Sequence, residues 1–362
     1  NTTKDEKERV GRMFQMHADK REEIKEVSAG DICAVIGLDH VEIGATITDI
    51  ENPRPMTPVS VDEPTVTMAF RVNDSPFAGR DGKFVTGRQV GERLIKELEK
   101  NVALRVDRET GADSWKVSGR GLMHLGVLIE TMRREGYELS VGKPTVIMKQ
   151  IDGVECEPVE TLAVDCPEAS QSDVMSLVLG RRGELRSMDA KAGTSGWIHM
   201  EFKVPSRALF GLRTLMLTTT RGEAVMYHNL LGYEPVRGEA PRRAAGVMIG
   251  GEGGAVTAYS LDRLYDRGDF FVKPTDEIYM GQIVGEHCKD NDLEINLVIN
   301  KKLSNVRASG SDDAAKIKPM RQMSLEACLE YIESDEMVEI TPNFIRMRKR
   351  YLTENERKRF DK

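Results

Sequence analysis

Between residues 65 and 141 the apolar pattern changes period four times, and few folds accommodate that order. Thr65–Val72 alternates as a strand does. Thr86–Asn101 then places Val90, Leu94, Ile95 and Leu98 at helical spacing. Ala103–Val106 and Trp115–Val117 read as short strands around a polar turn. Leu122–Glu135 is a second helix with Leu122, Leu125, Leu128, Ile129 and Met132 on one face, and Tyr137–Val141 is a last strand. The order β-α-β-β-α-β is the split-βαβ or ferredoxin-like arrangement.

A related order follows, with an extra strand at its start. Thr145–Ile151 and Val159–Val164 read as strands. Ser170–Leu179 is a helix carrying Val174, Leu177 and Val178, and Gly180-Arg181-Arg182-Gly183 ends it. Gly183–Met188 and Trp197–Val204 are the middle strands, Arg207–Thr219 the second helix and Ala224–Leu231 the closing strand. The two units share an architecture but little residue identity.

The flanks differ from this core. Ile32–Leu38 and Val41–Ile47, punctuated by Gly30-Asp31 and Gly37-Leu38-Asp39, read as the last strands of a small antiparallel β-barrel, and the Pro-rich Asn52–Pro58 as a linker. Beyond Pro235, Ala245–Ile249, Ala255–Ser260, Glu277–Val284 and Leu293–Ile299 read as antiparallel strands of a small barrel or sandwich. Ser324–Ile332 is a helix with Ser at its N-cap, and Met337–Ile340 with Phe344–Met347 forms a closing hairpin. The expected fold class is therefore α+β multidomain. Residues 1–59 hold the barrel end and linker, 60–143 and 144–235 the two ferredoxin-like domains, and 236–362 a β-rich carboxy-terminal domain.

Composition narrows the function classes. The net charge is −7, so a nucleic-acid role must come from local basic patches. Cys33, Cys156, Cys166, Cys288 and Cys328 are scattered without a CxxC pair, as expected of reduced thiols, not of disulfides or a zinc site. No apolar run approaches the roughly 18 residues of a membrane helix, and no secretory signal opens the chain; the expected compartment is the cytoplasm. The first residue is Asn1, not Met, which suggests a fragment or processed product.

Catalytic motifs are missing. A phosphate loop must end in Gly-Lys-Ser/Thr; Gly79-Arg80-Asp81-Gly82-Lys83-Phe84 has Phe84 where the magnesium-binding hydroxyl belongs and reads as a turn. Asn300-Lys301-Lys302-Leu303 lacks the carboxylate that reads guanine. Gly250-Gly251-Glu252-Gly253-Gly254 reads as a hairpin turn, and His124 as a structural histidine on its helix. Ser206, His199 and Asp189 have no spacing that supports a triad.

The positive signals are basic. Lys301, Lys302, Arg307, Lys316 and Lys318 fall where the hydrophobic pattern lapses, giving +3 over 301–318 after Asp312 and Asp313. Thr341–Lys362 carries +5, including Arg346, Arg348, Lys349 and Arg350. Arg346 and Arg348 alternate on a strand and so share a face. Such local excess suits phosphate-backbone contact.

Several stretches resemble the TypA/BipA translational GTPases. They are Ser60–Met68, Gly82–Thr86, Asn101–Val106, Val117–Gly121 and Met132–Gly136. Val204–Arg207 through Phe210-Gly211 resembles the domain shared with elongation factor G. Lys301-Lys302-Leu303-Ser304-Asn305-Val306-Arg307-Ala308-Ser309-Gly310 resembles the family's distinctive carboxy-terminal domain, and Leu352–Arg357 continues the match. Gly44-Ala45-Thr46 departs from the family's Gly-Asp-Thr at a surface turn. The resemblance implies a parent that binds GTP and Mg2+ in an amino-terminal domain missing from this chain, so no cofactor is expected here. It implies a ribosomal A-site location, roles in stress adaptation and ribosome assembly, and transfer-RNA contact around Lys301, Lys302, Arg307 and Ser309. The expected partners are ribosomal RNA and transfer RNA, with no DNA, no membrane and a monomeric state. Two other readings stay open: an enzyme with a site in the carboxy-terminal barrel, and a small-molecule sensor with an apolar pocket between residues 65–142 and 145–231.

Overall fold

The structure is a computed structural model; it describes all residues except 3–6, 8, 18–19, 39–40, 42, 58–62, 110–112, 191–195, 239–242, 301–317 and 361–362. The chain divides into two compact units, residues 1–62 with 96–103, and residues 63–95 with 104–362. In the first, β1 (Arg12–His17), β2 (Lys20–Ile24) and β3 (Cys33–Ile36) form an antiparallel sheet in the order β2-β1-β3. Val41–Ile47, expected as a strand, forms none at its described residues.

The second unit opens with β4 (Val66–Val72), residues 87–95 of α1 (Gly87–Leu98), β5 (Arg105–Arg108), β6 (Ser114–Gly119), α2 (Leu122–Glu135) and β7 (Leu139–Gly142). Its strands lie in the order β7-β4-β6-β5, all antiparallel. Met68, Phe70, Trp115, Val117, Leu139 and Val141 are buried, as are Leu94, Leu125, Ile129 and Met132 from the helices. Each such side chain, fully removed from water, contributes about 1.5–3 kcal/mol.

The next segment repeats the plan. After β8 (Thr145–Val146) and β9 (Lys149–Ile151) come β10 (Val154–Pro167), α3 (Gln171–Gly180), β11 (Glu184–Ala190), β12 (Trp197–Pro205), α4 (Leu212–Thr219) and β13 (Val225–Pro235). Strand order is β11-β12-β10-β13, the same permutation as in the first sheet. Leu162, Val164, Cys166, Met200, Phe202 and Val204 pack with Val174, Val178, Leu212 and Met216. The helix expected over Arg207–Thr219 is broken: Ser206–Leu209 is a 3-10 turn, and α4 starts only after Gly211.

The remainder holds β14 (Val247–Gly250), β15 (Gly254–Ala255), α5 (Ala258–Arg263), β16 (Gly268–Phe270), β17 (Glu277–Ile278), β18 (Ile283–His287), β19 (Leu293–Ile295), α6 (Leu325–Tyr331), β20 (Glu336–Ile340), β21 (Ile345–Lys349) and α7 (Glu354–Phe360). The sheet order β16-β18-β14-β19 includes one parallel pair, β14 with β19. Three expectations change here. Ala255–Ser260 becomes a helix start, because the Thr257 side chain caps the Ser260 N–H at 3.2 Å. Consequently Gly250–Gly254 does not close a hairpin; β15 pairs with β17 instead. Glu277–Val284 splits into β17 and β18 at Gly281, whose φ of 85° a side chain would resist.

The largest departure concerns the closing hairpin. β20 pairs antiparallel with β7, so β20 and β21 extend the first sheet to the order β21-β20-β7-β4-β6-β5. Edge strand β7 is thereby covered by residues about two hundred positions later. Arg133 Nη1 donates to the Pro342 carbonyl at 2.7 Å and Lys143 pairs with Glu333 at 2.5 Å, reinforcing the join.

Candidate nucleic-acid interface

The join is lined with buried charge. Glu336 and Glu339 are 1 % and 0 % exposed. On one face of β20, Arg243 donates to Glu336 through two nitrogens at 2.8 and 2.9 Å, and Lys349 Nζ lies 2.9 Å from it. The same ammonium is 2.7 Å from Asp292 and 2.7 Å from Asp335. Three carboxylates that could surround a metal ion therefore surround a lysine. Burial would lower the Lys349 ammonium, but Glu336, Asp292 and Asp335 outweigh it and hold it above the ordinary lysine range. Burial would likewise raise Glu336, yet Arg243 and Lys349 hold it below the usual carboxylate value.

On the opposite face, Glu339 accepts from Tyr279 Oη at 2.6 Å, Asn73 Nδ2 at 3.3 Å and Arg346 Nη1 at 3.4 Å. Arg346 and Arg348 do share this face, as their alternation predicts, because they stand opposite Glu339 and Met337. The face is closed, not open. Arg348 is 1 % exposed and paired with Asp74. Lys349, on the other face, is 3 % exposed. Neither cation has surface left to offer a phosphate, which corrects the expectation placed on these two residues. Arg346 is partly buried with its guanidinium held between the rings of Phe344 and Phe77.

The other expected site residues divide as follows. Lys301, Lys302, Arg307, Ser309 and Lys316 lie outside the described residues. Lys318 is exposed, 3.4 Å from Asp269. Arg350 is exposed and its backbone N–H donates to Asp335 O at 2.8 Å. The residues flanking the 301–318 segment are held at two places, Ile299 at the start of α5 and Arg321 on β16. Thr257 Oγ1 and Ser260 Oγ donate to the Ile299 carbonyl at 2.6 and 3.0 Å, and the Arg321 N–H donates to Phe270 O at 2.9 Å.

The Gly79–Lys83 turn does enclose an anion, but the protein supplies it. Glu138, fully buried, accepts from the N–H groups of Gly79, Asp81 and Gly82 at 2.8, 3.0 and 2.6 Å. A Cβ at Gly82 would lie 2.4 Å from Glu138 Cγ. Sequence reasoning passed over Glu138, Glu336 and Glu339; the available signal was an acid inside each apolar strand run. His199 pairs with Asp165 at 2.6 Å and not with Ser206, so the residues dismissed as a triad are not one.

A cavity of about 680 Å³ opens beside the join, lined in part by Phe77, Arg80, Lys273, Gln282, Phe344 and Arg346. It lies away from residues 145–231, where the sensor reading placed a pocket. The Cys328 thiol on its wall is pushed up to about 12 by burial and stays protonated at neutral pH.

These parts place the chain among the translation-factor relatives: residues 1–48 match elongation factor Tu domain 2 and residues 154–244 the elongation factor G carboxy terminus. Residues 245–354 match the TypA/BipA C-terminal domain. The chain is 45 % identical over 352 residues to the large ribosomal subunit assembly factor BipA of Bacillus subtilis, covering 97 % of this chain and 57 % of that protein. It is 46 % identical to the protein of the same name from Escherichia coli K12, with 97 % and 58 % coverage. The Synechocystis protein of that name is 45 % identical, with 95 % and 57 % coverage. The chain belongs to the TypA/BipA family and corresponds to its carboxy-terminal part. It spans somewhat over half the length of these relatives.

Proposed function

We propose that this chain is the ribosome- and RNA-contacting region of a cytoplasmic translational GTPase that acts in large ribosomal subunit assembly and stress adaptation. GTP and Mg2+ bind elsewhere in the parent, and the chain itself is monomeric and non-catalytic. Its two β-α-β-β-α-β units are ferredoxin-like domains over 60–143 and 144–235, residues 1–59 end a β-barrel, and 236–362 form the family's own domain. Transfer RNA and ribosomal RNA of the A-site region meet the segment bearing Lys301, Lys302, Arg307, Ser309, Lys316 and Lys318, with Arg350 as a further contact.

One observation carries this reading. The sequence puts a charge of +3 on residues 301–318, whose flanking residues Ile299 and Arg321 are held by α5 and β16, while Arg348 and Lys349 spend their charge internally. A local excess of basic charge is what phosphate contact uses, and its strength falls with salt.

The test is ribosome co-sedimentation of this chain and of the intact protein across a salt series. The double change Lys301→Glu, Lys302→Glu is expected to weaken co-sedimentation and leave the melting temperature unchanged, since the lapse of the hydrophobic pattern there predicts little packing energy. Salt-insensitive or absent binding of the intact protein would overturn the reading.

A further inference from the structure

The cavity beside the join has the furnishings of a ligand site. Its volume of about 680 Å³ falls in the range of small-molecule pockets. Four groups form a ladder along its wall: the Arg80 guanidinium lies 4.0 Å from the Phe77 centroid, Arg346 lies 5.1 Å from the same ring, and Arg346 lies 4.2 Å from Phe344. The last rung is unfinished. Phe344 is 51 % exposed, a large ring left partly in water at the cavity's edge.

Donors on the wall are unspent. The Arg346 side chain is 12 % exposed, yet among the described residues its guanidinium makes one hydrogen bond, from Nη1 to Glu339. Gln282 is 4 % exposed; its Oε1 accepts from the Tyr279 N–H at 3.3 Å, and its Nε2 has no partner among the described residues. The Lys273 ammonium also has no carboxylate partner among them, whereas Arg80 is paired with Glu277 at 3.0 Å. The turn carrying Lys273 is fixed by Asp276, which accepts the Lys273 N–H at 3.0 Å, and by Thr275, whose N–H donates to Val256 O at 2.8 Å. Thr275 holds φ at 76°, a conformation β-branched residues avoid.

An exposed aromatic face, planar donors beside it and one lone cation match a flat heteroaromatic ring with acceptor atoms and an attached phosphate. We propose that this cavity binds one unstacked purine nucleotide, its base on the face of Phe344 that Arg346 leaves open, its ring edge toward the Gln282 amide, and its phosphate at Lys273. A side-chain amide matches a purine edge, and base-on-aromatic stacking supplies sequence-tolerant affinity. The site stands apart from the ribosome reading, because the same chemistry comes either from a free nucleotide or from an unpaired residue of an RNA strand.

The test is titration of the purified chain, without ribosomes, with adenosine monophosphate, guanosine monophosphate and a short single-stranded purine oligonucleotide, followed by calorimetry. Binding of a mononucleotide alone identifies a free nucleotide as occupant. Binding of the oligonucleotide alone identifies an RNA strand. Phe344→Ala and Lys273→Ala are each expected to weaken the bound ligand about tenfold, the order set by loss of one stacked base or one phosphate contact, and Phe344→Trp to retain it. Both positions are at the surface, so melting temperatures serve as the folding control. No binding of any of the three probes, or binding that both alanine variants leave unchanged, overturns the proposal. A ribosome co-sedimentation failure with nucleotide binding intact would count against the proposed function alone.

Discussion

The two sheets of the larger unit share one strand permutation but hold themselves together differently. The β10–β13 sheet is built from one continuous stretch of chain, and its ionisable pairs include His199 with Asp165 and His228 with Glu160. The β4–β7 sheet is finished by β20 and β21, and its join is tied by carboxylates to arginine and lysine. The histidine pairs of the β10–β13 sheet titrate closer to neutrality than the carboxylate, arginine and lysine groups of the join, because their partners raise His199 and His228 from 6.5 while Glu336 is held low and Lys349 high. A shared topology therefore does not imply a shared response to pH or to mutation. What sets the response is which side chains line the seams.

Removing one charge from the join should have the largest effect. Glu336→Gln leaves Arg243 and Lys349 buried with less compensation, and a loss of about 3–5 kcal/mol is expected in denaturant unfolding, the range for a broken buried pair. An effect below about 1 kcal/mol would show that the network relaxes into solvent. Next comes Gly82→Ala. Its Cβ would meet Glu138 Cγ at 2.4 Å, and a loss of about 1–3 kcal/mol is expected.

The histidine pairs sharpen the contrast through pH. The hydrogen bond to Asp165 raises His199 above the ordinary 6.5, against its burial, and the bond to Glu160 does the same for His228. Folding therefore binds protons here. This stabilisation is full below about pH 6.5 and is lost as pH rises through the raised folded values. Hydrogen exchange should show β10–β13 protection falling across that window while β20–β7 protection holds. His199→Gln with His228→Gln should flatten the profile; an unchanged slope would assign the pH response elsewhere. The smallest effect belongs to Lys318→Ala, half-exposed and 3.4 Å from Asp269, where stability should change by no more than about 0.5 kcal/mol in thermal melts.

Local signals were legible where one residue decides the backbone. Ser324 announced α6, and its side chain accepts the Ala327 N–H at 3.2 Å. The alternation of apolar residues located both repeated units. Other features depended on partners far away in sequence. Nothing around Arg348 indicates Asp74, 274 positions distant, and Lys349 gives no sign of Asp292. Alternation correctly placed Arg346 and Arg348 on one face but could not tell whether that face is wet. Likewise Glu277–Val284 reads as one strand until Gly281 turns, with the Leu352 backbone close beside it.

The hairpin at 336–349 also has a meaning in time. A ribosome adds about 5–20 residues each second. The strand that caps β7 therefore emerges roughly ten to forty seconds after β7 itself. During that interval the newborn domain exposes a bare sheet edge, and Glu339, Lys349 and their companions have yet to arrive. The following β10–β13 unit, whose sheet is drawn from its own stretch, can mature first. Completion of the β4–β7 sheet thus waits for β20, and any premature stop before residue 336 releases a chain whose β7 edge was never covered.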